Sequence, residues 1–190
     1  MNEENQINQN LRLFIAIDLE KNLCSKLSEL QKQISPDIAK IKWVEKENFH
    51  ITLKFLGDVE VQKIPEIKDK LSSLKFKGFI SSVNQIGFFP SDNFIKTIWF
   101  GLMPHEKIFS LHEKIDSALS EIGFEKESSF QSHATFGRVK KIHNKIILIE
   151  KIQYIQNIIK GEVFMIDSFC LKKSTLTKKG PIYENIAVFK

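Results

Sequence analysis

Apolar positions along this chain alternate between two spacings. Residues 12–19 are rich in apolar side chains with weak alternation, which predicts a buried strand. Leu23, Leu27, Leu30 and Ile34 then recur at intervals of three and four, the mark of an amphipathic helix that Pro36 helps to end. A short strand over 41–44 leads to a longer one over 49–56, stopped at Gly57-Asp58. Ile64, Ile67, Leu71 and Leu74 predict a second helix, with Pro65 near its start, where proline is tolerated. Residues 79–89 read as a strand closed by Pro90, and Ser91-Asp92-Asn93 as a turn.

From there the layout repeats. Residues 95–102 read as a strand, and Ile108, Leu111, Ile115, Leu119 and Ile122 as an amphipathic helix ended by Gly123. A strand over 132–139, a helix over 146–159 ended by Gly161, and strands over 163–171 and 181–189 complete the chain. The intervals match: Phe14 to His50 spans 36 positions and Ile98 to His133 spans 35, while His50 to Phe79 spans 29 and His133 to Val163 spans 30. Matched spacing with little identity predicts a duplicated unit related by a pseudo-twofold. The expected fold is α+β and bilobal, with two antiparallel-type sheets flanking a central cleft and helices on the outer faces. Residues 1–10 are expected to be a frayed N-terminus and 11–190 a single bilobal domain.

The same four-residue signature falls on one strand of each unit: His50-Ile51-Thr52-Leu53 and His133-Ala134-Thr135-Phe136. Alternate strand residues share a face, so each copy sets an imidazole beside a hydroxyl, and turns two apolar side chains the other way. Random placement of five His and five Thr in 190 residues yields about 0.13 His-x-Thr triplets, so two in equivalent positions argue against coincidence.

Composition narrows the classes. No apolar run approaches the roughly 20 residues that span a bilayer, so no membrane role is expected. The start of the chain lacks the positive and apolar regions of a signal peptide, and a cytoplasmic location is the expectation. Cys24 and Cys170 are too few for a disulfide framework or a zinc knuckle, and read as buried thiols. A net charge of +5 permits an anionic ligand such as RNA without requiring one.

Histidine titrates near neutral pH, so two imidazoles on opposite sides of one phosphorus can act as base and acid. Paired threonine hydroxyls supply hydrogen bonds to the charge on the non-bridging oxygens. Such a site needs no metal and no cofactor. The signatures, together with the strand Arg12-Leu13-Phe14-Ile15-Ala16-Ile17-Asp18, the block Trp43-Val44…Asn48-Phe49-His50-Ile51-Thr52-Leu53-Lys54-Phe55-Leu56-Gly57, the run His133-Ala134-Thr135-Phe136-Gly137-Arg138 and the turn Gly180-Pro181-Ile182-Tyr183, carry a resemblance. The chain resembles the 2H phosphoesterase superfamily. More narrowly it resembles the RNA 2′,3′-cyclic phosphodiesterases, first described as 2′-5′ RNA ligases. The resemblance implies hydrolysis of a terminal 2′,3′-cyclic phosphate to a 2′-phosphomonoester, with possible reverse 2′-5′ ligation. It makes His50 the proton donor, His133 the proton acceptor, and Thr52 and Thr135 phosphate-binding residues. The partner it implies is RNA with a cyclic phosphate end, tRNA-like or an oligonucleotide, acted on by a monomer.

Other residues have a chemical and a plainer reading. Arg138 suits a phosphate clamp, but strict alternation turns it away from His133 unless the strand bulges at Gly137. Lys54 shares the face of His50 and Thr52 by alternation, or is a solvated strand-end lysine. His105 and His112, seven apart on a helix, read better as a solvated face than as a ligand pair. The stretch 172–179 reads as an RNA track or as a charged hairpin loop, and Trp43 could stack on a base. Rival functions are a relative acting on 2′-5′ oligoadenylate or ADP-ribose cyclic phosphate, a non-catalytic RNA-binding module, and a metal hydrolase.

Overall fold

A computed structural model of the chain describes residues 10–178 and 180–190. Most of the expected frayed segment therefore lies outside the described residues, and Asn10 already opens the first strand. The elements run β1 (Asn10–Asp18), α1 (Lys21–Gln31), β2 (Ala39–Trp43), β3 (His50–Glu60), α2 (Ile64–Ser72), β4 (Phe79–Ser91), β5 (Phe94–Met103) and α3 (His105–Ser120). They continue with β6 (Ala134–Ile142), α4 (Lys145–Ile159), β7 (Val163–Ile166), β8 (Phe169–Leu176) and β9 (Pro181–Phe189).

Three strands show the main departures from their expected extent, the others shifting by at most three residues at an end. β3 passes through Gly57, whose φ of 73° is a left-handed conformation that glycine adopts without strain, so the chain kinks instead of stopping. β4 runs on through Pro90, where a register shift against β5 accommodates a residue with no N–H for the ladder. The strand expected over 163–171 is two strands broken at Asp167-Ser168. β7 pairs with β4, and β8 pairs with β1, so the chain changes halves of the molecule at that break.

All pairings are antiparallel, in the order β7-β4-β5-β6-β3-β1-β8-β9, with β2 added along the far part of β6. β6 and β3 touch through one residue pair, Ile51 with Ala134. The two expected sheets are thus halves of one antiparallel sheet, joined edge to edge at the second residue of each signature. Counting outward from that pair, β6 corresponds to β3, β5 to β1, and β4 to β8. β7 and β8 are consecutive in the chain yet lie near opposite ends of the strand order, so the sheet must curl.

One contiguous apolar cluster holds the sheet to its helices. Ile15, Ile17, Ile51, Leu53, Ile98, Phe100, Ala134 and Phe136 lie in it with Leu23 and Leu27 of α1 and Ile108, Leu111 and Ile115 of α3. At the join, Phe49 stacks on Phe136 (centroids 6.3 Å) and Phe100 meets both. Trp43, partly buried, packs edge-on against Phe136 at 5.2 Å at the margin of that cluster.

α3 overturns one expectation. His112 is buried, not part of a solvated face; its ring stacks on Phe130 at 4.0 Å and its Nδ1 donates to the Leu53 carbonyl at 2.8 Å. His105 is exposed at the start of the same helix. The two cysteines are buried and free, and burial raises both thiols to about 11.

Candidate active site

The Ile51–Ala134 pair places the two signatures antiparallel and side by side. With those residues turned into the core, His50, Thr52, His133 and Thr135 share the opposite face of the sheet. Antiparallel order about that pair sets Thr52 in line with His133 and His50 in line with Thr135. Among the described residues neither threonine hydroxyl has a hydrogen-bond partner.

Both imidazoles are tethered alike. His50 Nδ1 lies 2.7 Å from the Asn48 carbonyl, and His133 Nδ1 lies 2.8 Å from the Gln131 carbonyl, each two residues upstream. A carbonyl only accepts, so each Nδ1 carries the proton and donates it. Each Nε2 is left to accept or release a proton. Aromatic rings hold both in place: Phe14 and Tyr183 lie 5.2 and 5.1 Å from His50, and Phe89 and Trp99 lie 5.1 and 6.2 Å from His133. Trp99 lies flat across β4, where a Cβ on Gly87 would fall 2.3 Å from its ring, so this position requires glycine.

Each signature strand bulges directly after its threonine. On β3, Thr52 pairs with Ala16 and Lys54 with Ile15, so Thr52 and Lys54 face opposite ways and Leu53 is the extra residue. Lys54 therefore does not share the His50 face, contrary to simple alternation. It is 2% exposed, donates to Asp116 at 2.5 Å and to the Glu125 carbonyl at 2.7 Å, and is no solvated lysine. On β6, Thr135 pairs with Trp99, Gly137 with Ile98 and Arg138 with Thr97. Arg138 therefore returns to the face of His133 and Thr135. The bulge falls at Phe136-Gly137, where a Cβ on Gly137 would sit 2.7 Å from both Ile41 and Trp43.

Electrostatics separate the two histidines. Burial pushes His50 down to about 4, helped by the charges of Lys172 and His133 and opposed by the Asn48 hydrogen bond and Asp18. Asp18 is held by Lys172 at 2.5 Å and by Asn185 at 3.4 Å. Lys172 thus serves a partly buried ion pair, and Lys179 lies outside the described residues. Burial also raises the Tyr183 hydroxyl, against the charges of Arg138 and Arg12, which places both arginines near it. Among the described residues no three of His, Cys, Asp and Glu come together to hold a metal ion. No helix of those residues is long and apolar enough to cross a membrane.

A duplicated βα unit that brings two His-x-Thr signatures to one face defines a two-histidine phosphoesterase architecture. The family model described as LigT like Phosphoesterase matches twice, over residues 17–99 and 101–183, one match for each unit. The chain belongs to this family. It is 40% identical over 179 residues to an RNA 2′,3′-cyclic phosphodiesterase of Methanocaldococcus jannaschii, covering 93% of this chain and 98% of the relative. A protein of the same name from Thermotoga maritima is 36% identical, covering 92% of each. Among solved structures, a Thermus thermophilus protein superposes with a TM-score of 0.76 at 21% identity, over 94% of this chain and 97% of that one. E. coli LigT complexed with 3′-AMP gives 0.72 at 19%, over 95% and 97%. At those identities the structures establish the shared fold.

Several neighbours of the histidines escaped the sequence. Phe89 and Trp99 sat unmarked among apolar strand residues, although the Gly87 that Trp99 covers was a visible irregularity in β4. Tyr183 had a signal, since it closes the Gly180-Pro181-Ile182-Tyr183 turn. The burial of Lys54 had none, because a bulge leaves no residue type behind it.

Proposed function

We propose that this chain hydrolyses the 2′,3′-cyclic phosphate at RNA ends to a 2′-phosphomonoester by metal-independent acid–base catalysis. One observation carries the reading: two His-x-Thr signatures meet at Ile51–Ala134 with both Nε2 atoms free of the backbone tether. The names of relatives up to 40% identical over nearly the whole chain support it. In the reaction, His133 Nε2 takes a proton from water as its oxygen attacks phosphorus. The P–O3′ bond breaks in line, and O3′ takes a proton from His50 Nε2. Thr52, Thr135 and Arg138 hold the non-bridging oxygens. Burial keeps His50 neutral at pH 7; the phosphodiester anion draws the proton onto it, because a nearby negative charge favours the imidazolium. The substrate is RNA, met in the cytoplasm by a monomer.

The depressed pKa of His50 favours one second reading, with His50 as base and His133 as donor. Chemistry and residues stay the same and only the proton's holder changes. The function is tested with an oligonucleotide ending in a 2′,3′-cyclic phosphate, incubated in excess EDTA, with products resolved. A 2′-phosphate product is expected. No turnover, or a 3′-phosphate product, would overturn the reading.

A further inference from the structure

The face that carries the histidines does not end at them. The β5–β6 ladder stops at Thr97–Arg138, and beyond it the strands part around a groove of about 540 Å³. Phe94, Lys96, Thr97, Arg138, Lys140 and Lys141 line it, and no lining residue is acidic.

The charges continue onto β2. Lys42 pairs with Arg138 and Lys40 with Lys141, and a register shift between Lys40 and Ile41 keeps both pairs on one face. Paired residues share a face, so Lys40, Lys42, Arg138 and Lys141 all lie on the His133 side. All four are exposed, and among the described residues none has a carboxylate partner. Like charges directly opposite on a sheet are destabilising. Two such pairs in succession, with Lys96 and Lys140 alongside, make a surface whose repulsion a polyanion would relieve. Phe94 lies on the same face, because it pairs with Ser91, two residues from the Phe89 that touches His133. It is 58% exposed, with the Lys96 ammonium 4.8 Å over its ring. Cations along a groove beside an exposed aromatic are the elements of a single-strand binding surface.

We infer that this groove binds the single-stranded RNA preceding the cyclic phosphate, so that an oligonucleotide is held more tightly than a mononucleotide with the same end. The inference rests on the proposed function. A 2′,3′-cyclic phosphate closes the 3′ end, so all further nucleotides lie on the 5′ side of the reacting one. Arg138 belongs both to the face of His133 and to the groove, which makes the groove an exit from the site. Lys40, Lys42, Lys140 and Lys141 would track backbone phosphates, and Phe94 would stack on a base.

The test compares two substrates on two variants. Cytidine 2′,3′-cyclic phosphate and a single-stranded hexanucleotide with the same end are hydrolysed by wild type, Lys40→Gln/Lys141→Gln and Phe94→Ala. The double variant is expected to raise KM for the hexanucleotide about tenfold or more and to leave the mononucleotide unchanged. Its salt dependence should flatten by about 1.4 in log–log slope, the share of two single-strand phosphate contacts. Phe94→Ala should raise hexanucleotide KM about tenfold through lost stacking. Equal effects on both substrates, or none on the hexanucleotide, would overturn the groove. If wild type hydrolyses neither substrate, the proposed function falls, and the groove is judged by fluorescence anisotropy of a labelled hexanucleotide with a plain 3′-phosphate. Weaker binding by the double variant then upholds it, and unchanged binding overturns it.

Discussion

The two halves of the sheet use the same backbone device and support it with different chemistry. In each, the strand bulges one residue after the motif threonine. On β3 the bulge presents Lys54 to the helices, and a buried ion pair with Asp116 holds it. On β6 the equivalent position is Gly137, and Ile41 and Trp43 fill the space a side chain would need. After the bulge the first half shows Phe55 to the open face and the second shows Arg138. Duplication thus preserved the imidazoles, hydroxyls and tethers, while the surroundings diverged. His50 sits between Phe14 and Tyr183 near an ion pair; His133 sits against Phe89 and Trp99 near the cationic groove. In the proposed reaction, a symmetric frame with asymmetric walls would let two identical side chains take opposite parts, one as acid and one as base.

The comparison breaks most sharply at the histidines. His50→Ala and His133→Ala should each lower turnover about 10²–10⁴-fold, and the double variant little further, because acid and base act as a unit. Circular dichroism should show both variants folded. A double variant whose loss is the product of the single losses would mean that the histidines act independently.

The bulge supports come next. Lys54→Met leaves Asp116 as an uncompensated buried charge and should cost about 3–5 kcal/mol in urea unfolding. Lys54→Met/Asp116→Leu should recover most of that. A double variant as unstable as Lys54→Met alone would mean that the pair is not what holds the bulge. Gly137→Ala, in the other half, should cost about 1–3 kcal/mol by overpacking against Ile41 and Trp43.

Thr52→Val and Thr135→Val should each cost about 10–100-fold in kcat/KM, the worth of a hydrogen bond to a charged oxygen. Similar losses would show that both halves grip the phosphate. A loss in one alone would confine the grip to one lobe.

The remaining effect is in stability against pH. His50 is lowered to about 4 in the fold and titrates near 6.5 unfolded, so between those values the unfolded chain binds more protons. Its contribution is complete above pH 6.5 and is lost as pH falls towards 4. Thermal melts should therefore show wild type losing stability relative to His50→Gln as pH falls from 6.5 towards 4, with a constant difference above 6.5. Parallel curves would contradict the depressed value.

Much of this was legible in the chain. Helix periods at three and four, matched intervals and the repeated signature placed the elements, the duplication and both histidines, since those depend on local patterns. What stayed hidden depends on register. A single added residue at Leu53 or Phe136 reverses the side chains that follow it up to the next register shift, so alternation turned Lys54 the wrong way and left Arg138 undecided. His112 looked solvated because its burial depends on Phe130 and on the Leu53 carbonyl, partners far away in sequence. The join of the two sheets through one residue pair also has no sequence signal, for a single antiparallel contact sets no pattern.

The central claim is one acid and one base acting on one phosphorus. It is tested most directly by replacing O3′ of the cyclic phosphate with sulfur, a leaving group that needs no proton. His50→Ala should regain most of its lost rate on that substrate, and His133→Ala should not. Rescue of His133→Ala alone would reverse the two roles, and rescue of both variants or of neither would contradict the acid–base pair.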